Sequence, residues 1–360
     1  MIRPTSFAIH VTYTCPLTCA HCCFHSSPDA TDRLDISVIL QSIEQLNQDE
    51  IKLVAFTGGE PLLLGKDLVT AVRAAKARGF TTRVVTSAYF GRKKDYAAKR
   101  LGALARAGLD QVSISWDDYH EKFVDFESVA NVFHESVELG MQTAINIVQD
   151  ATSVWNAEMV RARLGLGPDS KHVICESSLN KTGRAENDLE AKELRETRTV
   201  GPCPYVLTGP TLSAKNKLLA CCGVIPNTPA LVIDDHYSPE NLNAAIERSL
   251  KSPLLNWLHL RGPHSIMEYI GQQYSVPIPE RSDIGGNCEA CKLLFETEAI
   301  AQHIPAAVAA KAEDIAGELG VLAAIGWKTP SDVVSLWSDV SIIAPDKPAE
   351  AAANPVLAVR

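Results

Sequence analysis

The chain has 360 residues, 46% of them hydrophobic and 21% charged, with 43 acidic against 34 basic side chains and a formal charge of −9. That size suits one large α/β domain plus a smaller appendage. The acidic balance, without any Lys/Arg cluster, argues against nucleic-acid binding, which needs basic surface to displace phosphate counterions.

No apolar run approaches the roughly 20 residues of a membrane span. The opening MIRPTSFAIHVTYTC has neither a long apolar stretch nor a small-residue cleavage site, so no signal peptide is expected. A cytoplasmic setting follows as an expectation, and thiols stay reduced there. Ten cysteines then point to metal or catalysis rather than to disulfides.

Apolar, β-rich runs recur at intervals of about thirty residues: FAIHVTY (7–13), IKLVAFT (51–57), TTRVVTS (81–87), QVSISWD (111–117), QTAINIV (142–148) and KHVICES (171–177). Between them lie helical patterns. Asp35 is expected to cap a helix with Ile36, Ile39, Leu40, Ile43 and Leu46 on one face, and Asp67 to cap the next, which ends at Gly79. Two more, around 101–107 and 129–139, end at Gly108 and Gly140. Strands alternating with helices predict a parallel sheet covered on both faces. Six such units make a partial (β/α)6 barrel, whose chemistry belongs at the C-terminal ends of the strands.

After Gly183 the pattern changes. Leu189–Arg198 reads as a charged helix and Val206–Gly223 as a β-hairpin turning at Lys215-Asn216. Ser238-Pro239 and Ser252-Pro253 signal the starts of short helices, the stretch from Leu293 is Ala-rich and helical, and the last residues read as a solvated tail. The expected division is a barrel over 1–190, a small cysteine-bearing domain over 191–300, a helical segment over 301–343 and a flexible tail over 344–360.

Cys15, Cys19 and Cys22 follow the first strand with the spacing C-x3-C-x2-C. Three thiolates on one loop can hold three irons of a cubane cluster. Zinc would need a fourth ligand, for which His21, Cys23 and His25 stand near, so spacing alone leaves both metals open. The second strand runs into TGGEP, Thr57 to Pro61, at the same mouth of the barrel. Its glycines allow close backbone approach, and Glu60 is an acceptor for a charged amine.

Together these two segments closely resemble the radical S-adenosylmethionine superfamily, over about 180 residues. The resemblance implies a [4Fe–4S] cluster on Cys15, Cys19 and Cys22, whose open iron chelates the amino and carboxylate groups of S-adenosylmethionine (AdoMet). It assigns Gly58, Gly59 and Glu60 to the methionyl amine. Ser115 and Asp117 in ISWDDYH become ribose contacts, and Asn146 and Arg184 further cofactor contacts.

The second set is Cys203, Cys221, Cys222, Cys288 and Cys291. A hairpin with cysteines at both ends, then helices, then CEAC, resembles the twitch domain, the shortened form of the SPASM domain. This implies one auxiliary [4Fe–4S] cluster on Cys203, Cys221, Cys288 and Cys291, although four thiolates would equally suit zinc. Asn216 stands where that hairpin usually has Gly, and Asn tolerates the left-handed conformation. Cys222 is left spare, and Cys175 on the sixth strand reads as core.

The resemblance implies reductive cleavage of AdoMet to methionine and a 5′-deoxyadenosyl radical, fed by an electron donor such as flavodoxin or ferredoxin. The expected target is an unactivated carbon of a peptide or small molecule in natural-product biosynthesis. Peptide modifiers frequently carry an N-terminal leader-binding domain, whereas here the first strand is expected by residue 7, which keeps open a free-standing small substrate or a leader bound elsewhere. Cys23, His25 and Cys222 are candidates for substrate contact. The paired cysteines at 22–23 and 221–222 motivate an alternative, transfer of the 3-amino-3-carboxypropyl group to a soft acceptor such as trivalent arsenic. A non-enzymatic iron–sulfur or zinc regulatory protein is a third reading. GGEP and the ribose-like segment argue against it, since a sensor needs no amine-binding turn.

Overall fold

The structure, a computed structural model, describes residues 2–167, 170, 172–188, 200–223 and 228–325. All six expected strands form, alternating with helices: β1 (Ser6–Thr12), α1 (Ile36–Gln45), β2 (Leu53–Gly58), α2 (Lys66–Ala77), β3 (Thr81–Thr86), α3 (Lys94–Ala107), β4 (Gln111–Ser115), α4 (Phe126–Glu138), β5 (Gln142–Gln149), α5 (Ala157–Arg163) and β6 (Val173–Ser178). A short helix α6 (Ala185–Asp188) follows. Each strand pairs in parallel with the next, the layout of a partial barrel.

Alternation along each strand divides the two faces. Val54, Phe56, Val84, Val112, Ile114, Ile145 and Ile147 are at most 2% exposed and join Ile39, Leu68, Val72, Leu101, Val129 and Phe133 of the helices in one core. The intervening residues face inward and are largely polar: Arg83 on β3, Ser113 and Ser115 on β4, Asn146 on β5 and Cys175 on β6.

Gly79, Gly108 and Gly140 end their helices with φ of +84°, +95° and +79°, as the sequence suggests. Two cap expectations are corrected. Asp35 occupies the N-cap of α1 but makes no side-chain bond there. Asp67 lies inside the first turn of α2, because a 3-10 turn at 61–64 enters the helix through Gly65; its carboxylate instead meets Arg33 at 2.8 Å.

The hairpin also differs from its expected role. β7 (Thr211–Leu212) and β8 (Leu218–Leu219) are antiparallel, with Asn216 at φ +57° in the turn, and β9 (Val232–Asp234) pairs with β8. β7 pairs in parallel with β1, so one nine-stranded sheet runs β6-β5-β4-β3-β2-β1-β7-β8-β9. The hairpin therefore extends the barrel sheet instead of standing apart from it.

Beyond it come α7 (Leu242–Leu250), α8 (Pro253–Arg261), α9 (Pro263–Tyr274), α10 (Asn287–Glu296), α11 (Glu298–Ala301) and α12 (Ile304–Ala324). Ser252 caps α8 through the Leu255 amide, whereas Ser238 precedes a 3-10 turn ahead of α7. Trp257, Leu258, Ile266, Met267, Ile270 and Leu294 build a second core here. The helix expected over Leu189–Arg198 and the tail over 344–360 lie outside the described residues. No described helix is long and apolar enough to cross a membrane.

Candidate functional site

β1 releases the chain into a loop that closes on itself. The Cys15 amide donates to Ser27 O at 3.0 Å, the Cys22 amide to Cys19 O at 3.0 Å and Thr14 Oγ1 to Ala30 O at 2.6 Å. Cys15 and Cys19 are buried. Burial pushes the Cys15 thiol up to about 12; neighbouring Glu60 and Cys22 add to the effect and Arg184 opposes it. Cys19 is raised by burial, then by Cys22, Asp117 and Cys15. Cys22 acts on both of these thiols, so the three cysteines of the motif are neighbours on the loop. A metal cation converts such thiols to thiolate ligands.

The GGEP turn lies flat against the end of β1. The Gly59 amide donates to Thr12 O at 2.7 Å and the Glu60 amide to Thr14 O at 3.0 Å. A Cβ at Gly58, whose φ is +119°, would come 2.4 Å from Thr12 O, and one at Gly59 would come 2.3 Å from Thr14 O. Only glycine permits this approach, which sets Glu60 beside Cys15.

The Glu60 carboxylate is fully buried. It accepts from Thr86 Oγ1 at 2.9 and 3.0 Å, Ser87 Oγ at 2.8 Å, the Ser87 amide at 3.0 Å and the Leu62 amide at 3.2 Å. Burial pushes its pKa up while the Ser87, Leu62 and Thr86 bonds oppose. Among the described residues no Lys, Arg or His forms an ion pair with it. A buried carboxylate held only by neutral donors suits a cationic ligand, since an uncompensated interior charge is costly. Thr86 and Ser87 escaped the sequence reading; their signal is their position at the C-terminal end of the third strand.

Asp117 is also fully buried, and its oxygens are heavily engaged. His120 Nδ1 lies at 2.8 Å and His21 Nε2 at 3.3 Å, and the amides of Tyr119, His120 and Val148 donate at 3.0, 3.0 and 3.3 Å. Burial alone would raise its carboxyl, but His120 and His21 hold it well below the usual carboxylate range. His21 stacks on Tyr119 with ring centroids 4.6 Å apart. Asp117 therefore joins the cysteine loop to the segment after β4. Ligand atoms of Cys19, His21 and His120 lie within 4.8 Å of one another. His25 is exposed, at φ +53°.

Ser115 ends β4 in register with Asn146, whose Nδ2 donates to Ser113 Oγ at 2.6 Å. The Arg184 guanidinium donates to Cys19 O and Ser26 O, both at 2.7 Å, and its amide to Cys22 O at 2.9 Å. Gly183, at φ +60°, lies so near this loop that a Cβ would be 2.5 Å from Cys23 O. Arg184 thus grips the cysteine loop.

The second cysteine set converges too. Cys203 is tied to the helices by its amide bond to Leu258 O, and Asn287 at the start of α10 bonds Gly201 and Pro202. Cys288 and Cys291 stand three apart on α10, on one face. A Cβ at Gly223 would be 3.1 Å from Cys221 Sγ and 3.7 Å from Cys288 Sγ. Burial raises the Cys221 thiol, with Cys203, Cys222 and Cys288 adding, and the Cys291 thiol, with Cys203, Cys288 and Cys221 adding. Burial pushes Cys222 up to about 11, with Cys203 adding. Cys23 is raised by burial and then by Cys22, Cys288 and Cys222, so it stands between the two sets.

Residues 9–148 match the family described as the Radical SAM superfamily. The chain is 38% identical over 117 residues to the GTP 3′,8-cyclase of Chlorobaculum tepidum, covering 32% of this chain and 34% of that one. It is 32% identical over 122 residues to the PqqA peptide cyclase of Gluconobacter oxydans, covering 33% and 32%. The chain thus spans about a third of the length of these curated relatives. The solved structure of anSMEcpe with bound AdoMet and the Cp18Cys peptide has a TM-score of 0.51 at 12% identity, covering 90% of this chain and 100% of that one, which shows a shared fold.

Proposed function

We propose that this chain is a radical AdoMet enzyme that modifies an unactivated carbon of a peptide, or of a small molecule, in natural-product biosynthesis. The observation that carries the reading is the neighbouring thiols of the cysteine loop beside the buried carboxylate of Glu60, which has no cationic partner among the described residues. Cys15, Cys19 and Cys22 would hold one [4Fe–4S] cluster, and Cys203, Cys221, Cys288 and Cys291 an auxiliary one. When bound, the first cluster supplies the electron that cleaves AdoMet to methionine and a 5′-deoxyadenosyl radical.

The chain's own residues do the remaining work. Glu60 receives the methionyl amine, oriented by Thr86 and Ser87. Arg184 and the His21–Asp117–His120 network fix the cysteine loop, while Ser115 and Asn146 offer polar groups at the strand ends. Peptide substrates are favoured by the PqqA peptide cyclase relative. The reading calls for a flavodoxin- or ferredoxin-type donor and a cytoplasmic setting.

The proximity of Cys23 to Cys222 and Cys288 favours one other reading, aminocarboxypropyl transfer to a thiophilic acceptor. Chromatography of products from reduced, anaerobically reconstituted protein with AdoMet separates the two. 5′-Deoxyadenosine supports the first reading, and 5′-methylthioadenosine above background supports the second. Iron should halve, and cleavage stop, when Cys15, Cys19 and Cys22 all become Ala.

A further inference from the structure

Arg83 stands in the middle of β3, in register with Ala55 of β2 and Gln111 of β4. Its neighbours Thr82 and Val84 are buried under the helices, so alternation turns Arg83 to the inner face, where it is half-buried. Its Nε donates to Gln111 Oε1 at 2.8 Å, and Gln111 Nε2 donates to Gln142 Oε1 at 2.8 Å. This amide chain across β3, β4 and β5 fixes the plane of the guanidinium while using one of its five N–H groups.

Among the described residues, no carboxylate pairs with Arg83. Burial lowers the Arg83 pKa, and the groups that act on its charge are a phenol and a thiol, Tyr205 and Cys175. No Lys and no second Arg occupies an inward position of β1–β6. His10, also inward, is held neutral by burial, its pKa down to about 3. Among the described residues, the inner face of β1–β6 therefore carries a single oriented cation with no carboxylate paired to it. The energetic cost of such a group falls when an anion arrives.

We infer that Arg83 anchors the substrate of this site through a carboxylate, paired with the two terminal nitrogens of its planar fork. One cation matches one carboxylate; a phosphate dianion would draw on more. Thr86, which holds Glu60, lies three residues further along β3, about 10 Å at the strand rise. The anchored carboxylate and the Glu60 pocket are then separated by at most about three extended amino-acid lengths. An acidic side chain or a C-terminal carboxylate near the modified residue fits that span. The identity of the reaction rests on the radical reading above, but the anion site does not.

Phenylglyoxal labels accessible arginines, and mass spectrometry of the Arg83 peptide follows its modification. Labelling of the intact protein should proceed readily in buffer, slow several-fold with propionate, and be unchanged with propionamide. Absence of labelling in buffer, equal protection by propionamide, or protection by inorganic phosphate as strong as by propionate would each overturn the carboxylate assignment. Arg83→Met should melt no lower than the parent in buffer and gain no stabilisation from propionate. A large loss of stability would instead mark Arg83 as structural and end the proposal. 5′-Deoxyadenosine release by the parent protein is scored separately, so failure of the radical reading and failure of the anion site give different results.

Discussion

Gly59→Ala tests whether the GGEP turn must press against the end of β1. The new Cβ would lie 2.3 Å from Thr14 O, 2.8 Å from Thr14 C and 2.9 Å from Tyr13 C, all backbone atoms that no rotamer change can move. The turn and the strand end must part by roughly 0.7 Å to restore the closest tolerable contact, an overpacking strain worth about 1–3 kcal/mol. The same movement stretches the Gly59–Thr12 and Glu60–Thr14 bonds, now 2.7 and 3.0 Å, each worth about 1 kcal/mol. A loss of about 2–4 kcal/mol in anaerobic urea unfolding is expected. Because displacements near 1 Å in a reacting site cost on the order of 100-fold, AdoMet affinity by equilibrium dialysis and cleavage rate should both collapse. Gly65→Ala is the contrast: nothing lies within 4 Å, so the only cost is backbone strain at φ +57°, ψ −117°, about 1–3 kcal/mol, with AdoMet affinity kept. Parental affinity in Gly59→Ala, or an equal loss of affinity in Gly65→Ala, would refute the close-approach argument.

Arg184→Met removes two charge-assisted bonds to the cysteine loop, each worth about 1.5–3 kcal/mol, so iron incorporated on reconstitution should fall while far-ultraviolet circular dichroism stays unchanged. Asp125 caps α4 by accepting from the Ser128 amide at 2.7 Å, and Asp125→Ala should cost about 1 kcal/mol at neutral pH in urea melts. Ser128 lowers the Asp125 pKa, so this stabilisation is present above the unfolded value near 3.9 and is lost as pH falls through the folded one. The parent and variant curves should therefore converge at the acid end, and a constant gap would contradict the cap. Cys221→Ala should lose the auxiliary iron and Cys222→Ala retain it; the reverse would shift the hairpin register by one.

Local pattern made much of this legible. The strands declared themselves by short apolar runs, and the helix ends by Gly79, Gly108 and Gly140, because both signals act within a few residues. Cys15, Cys19, Cys22 and Glu60 were legible for the same reason, as compact motifs following strands. Asp117 shows where this stops. Its place after the fourth strand was readable, but its partner His21 lies ninety-six positions away on the cysteine loop, and only the fold brings them within 3.3 Å. Thr86, Ser87 and Arg83 were missed because each acquires its meaning from strand register, and His120 because its meaning comes from the buried Asp117 three residues before it. β7 was beyond reach as a sheet neighbour of β1, since two residues carry no periodicity.

That pairing has a consequence for the arrangement of the thiols. Hydrogen bonding β7 to β1 fixes the hairpin, and with it Cys221 and Cys222, relative to the strand that leads into Cys15. The segment after β6 adds a second tie: the Lys181 amide bonds Glu289 Oε2 at 3.1 Å, and the Glu289 amide bonds Asn180 Oδ1 at 3.3 Å, drawing the start of α10 against the turn that contains Gly183. Gly183 in turn lies on the Cys22–Cys23 backbone. The result is that neighbouring residues of one loop lie close to different thiol sets: Cys22 acts on Cys19 of the first, while Cys288 and Cys222 of the second act on Cys23. A C-terminal module joined by a flexible linker could not hold this relation, because two adjacent residues would have to satisfy partners that move independently. The sheet continuation is therefore what holds the two thiol sets at a fixed separation.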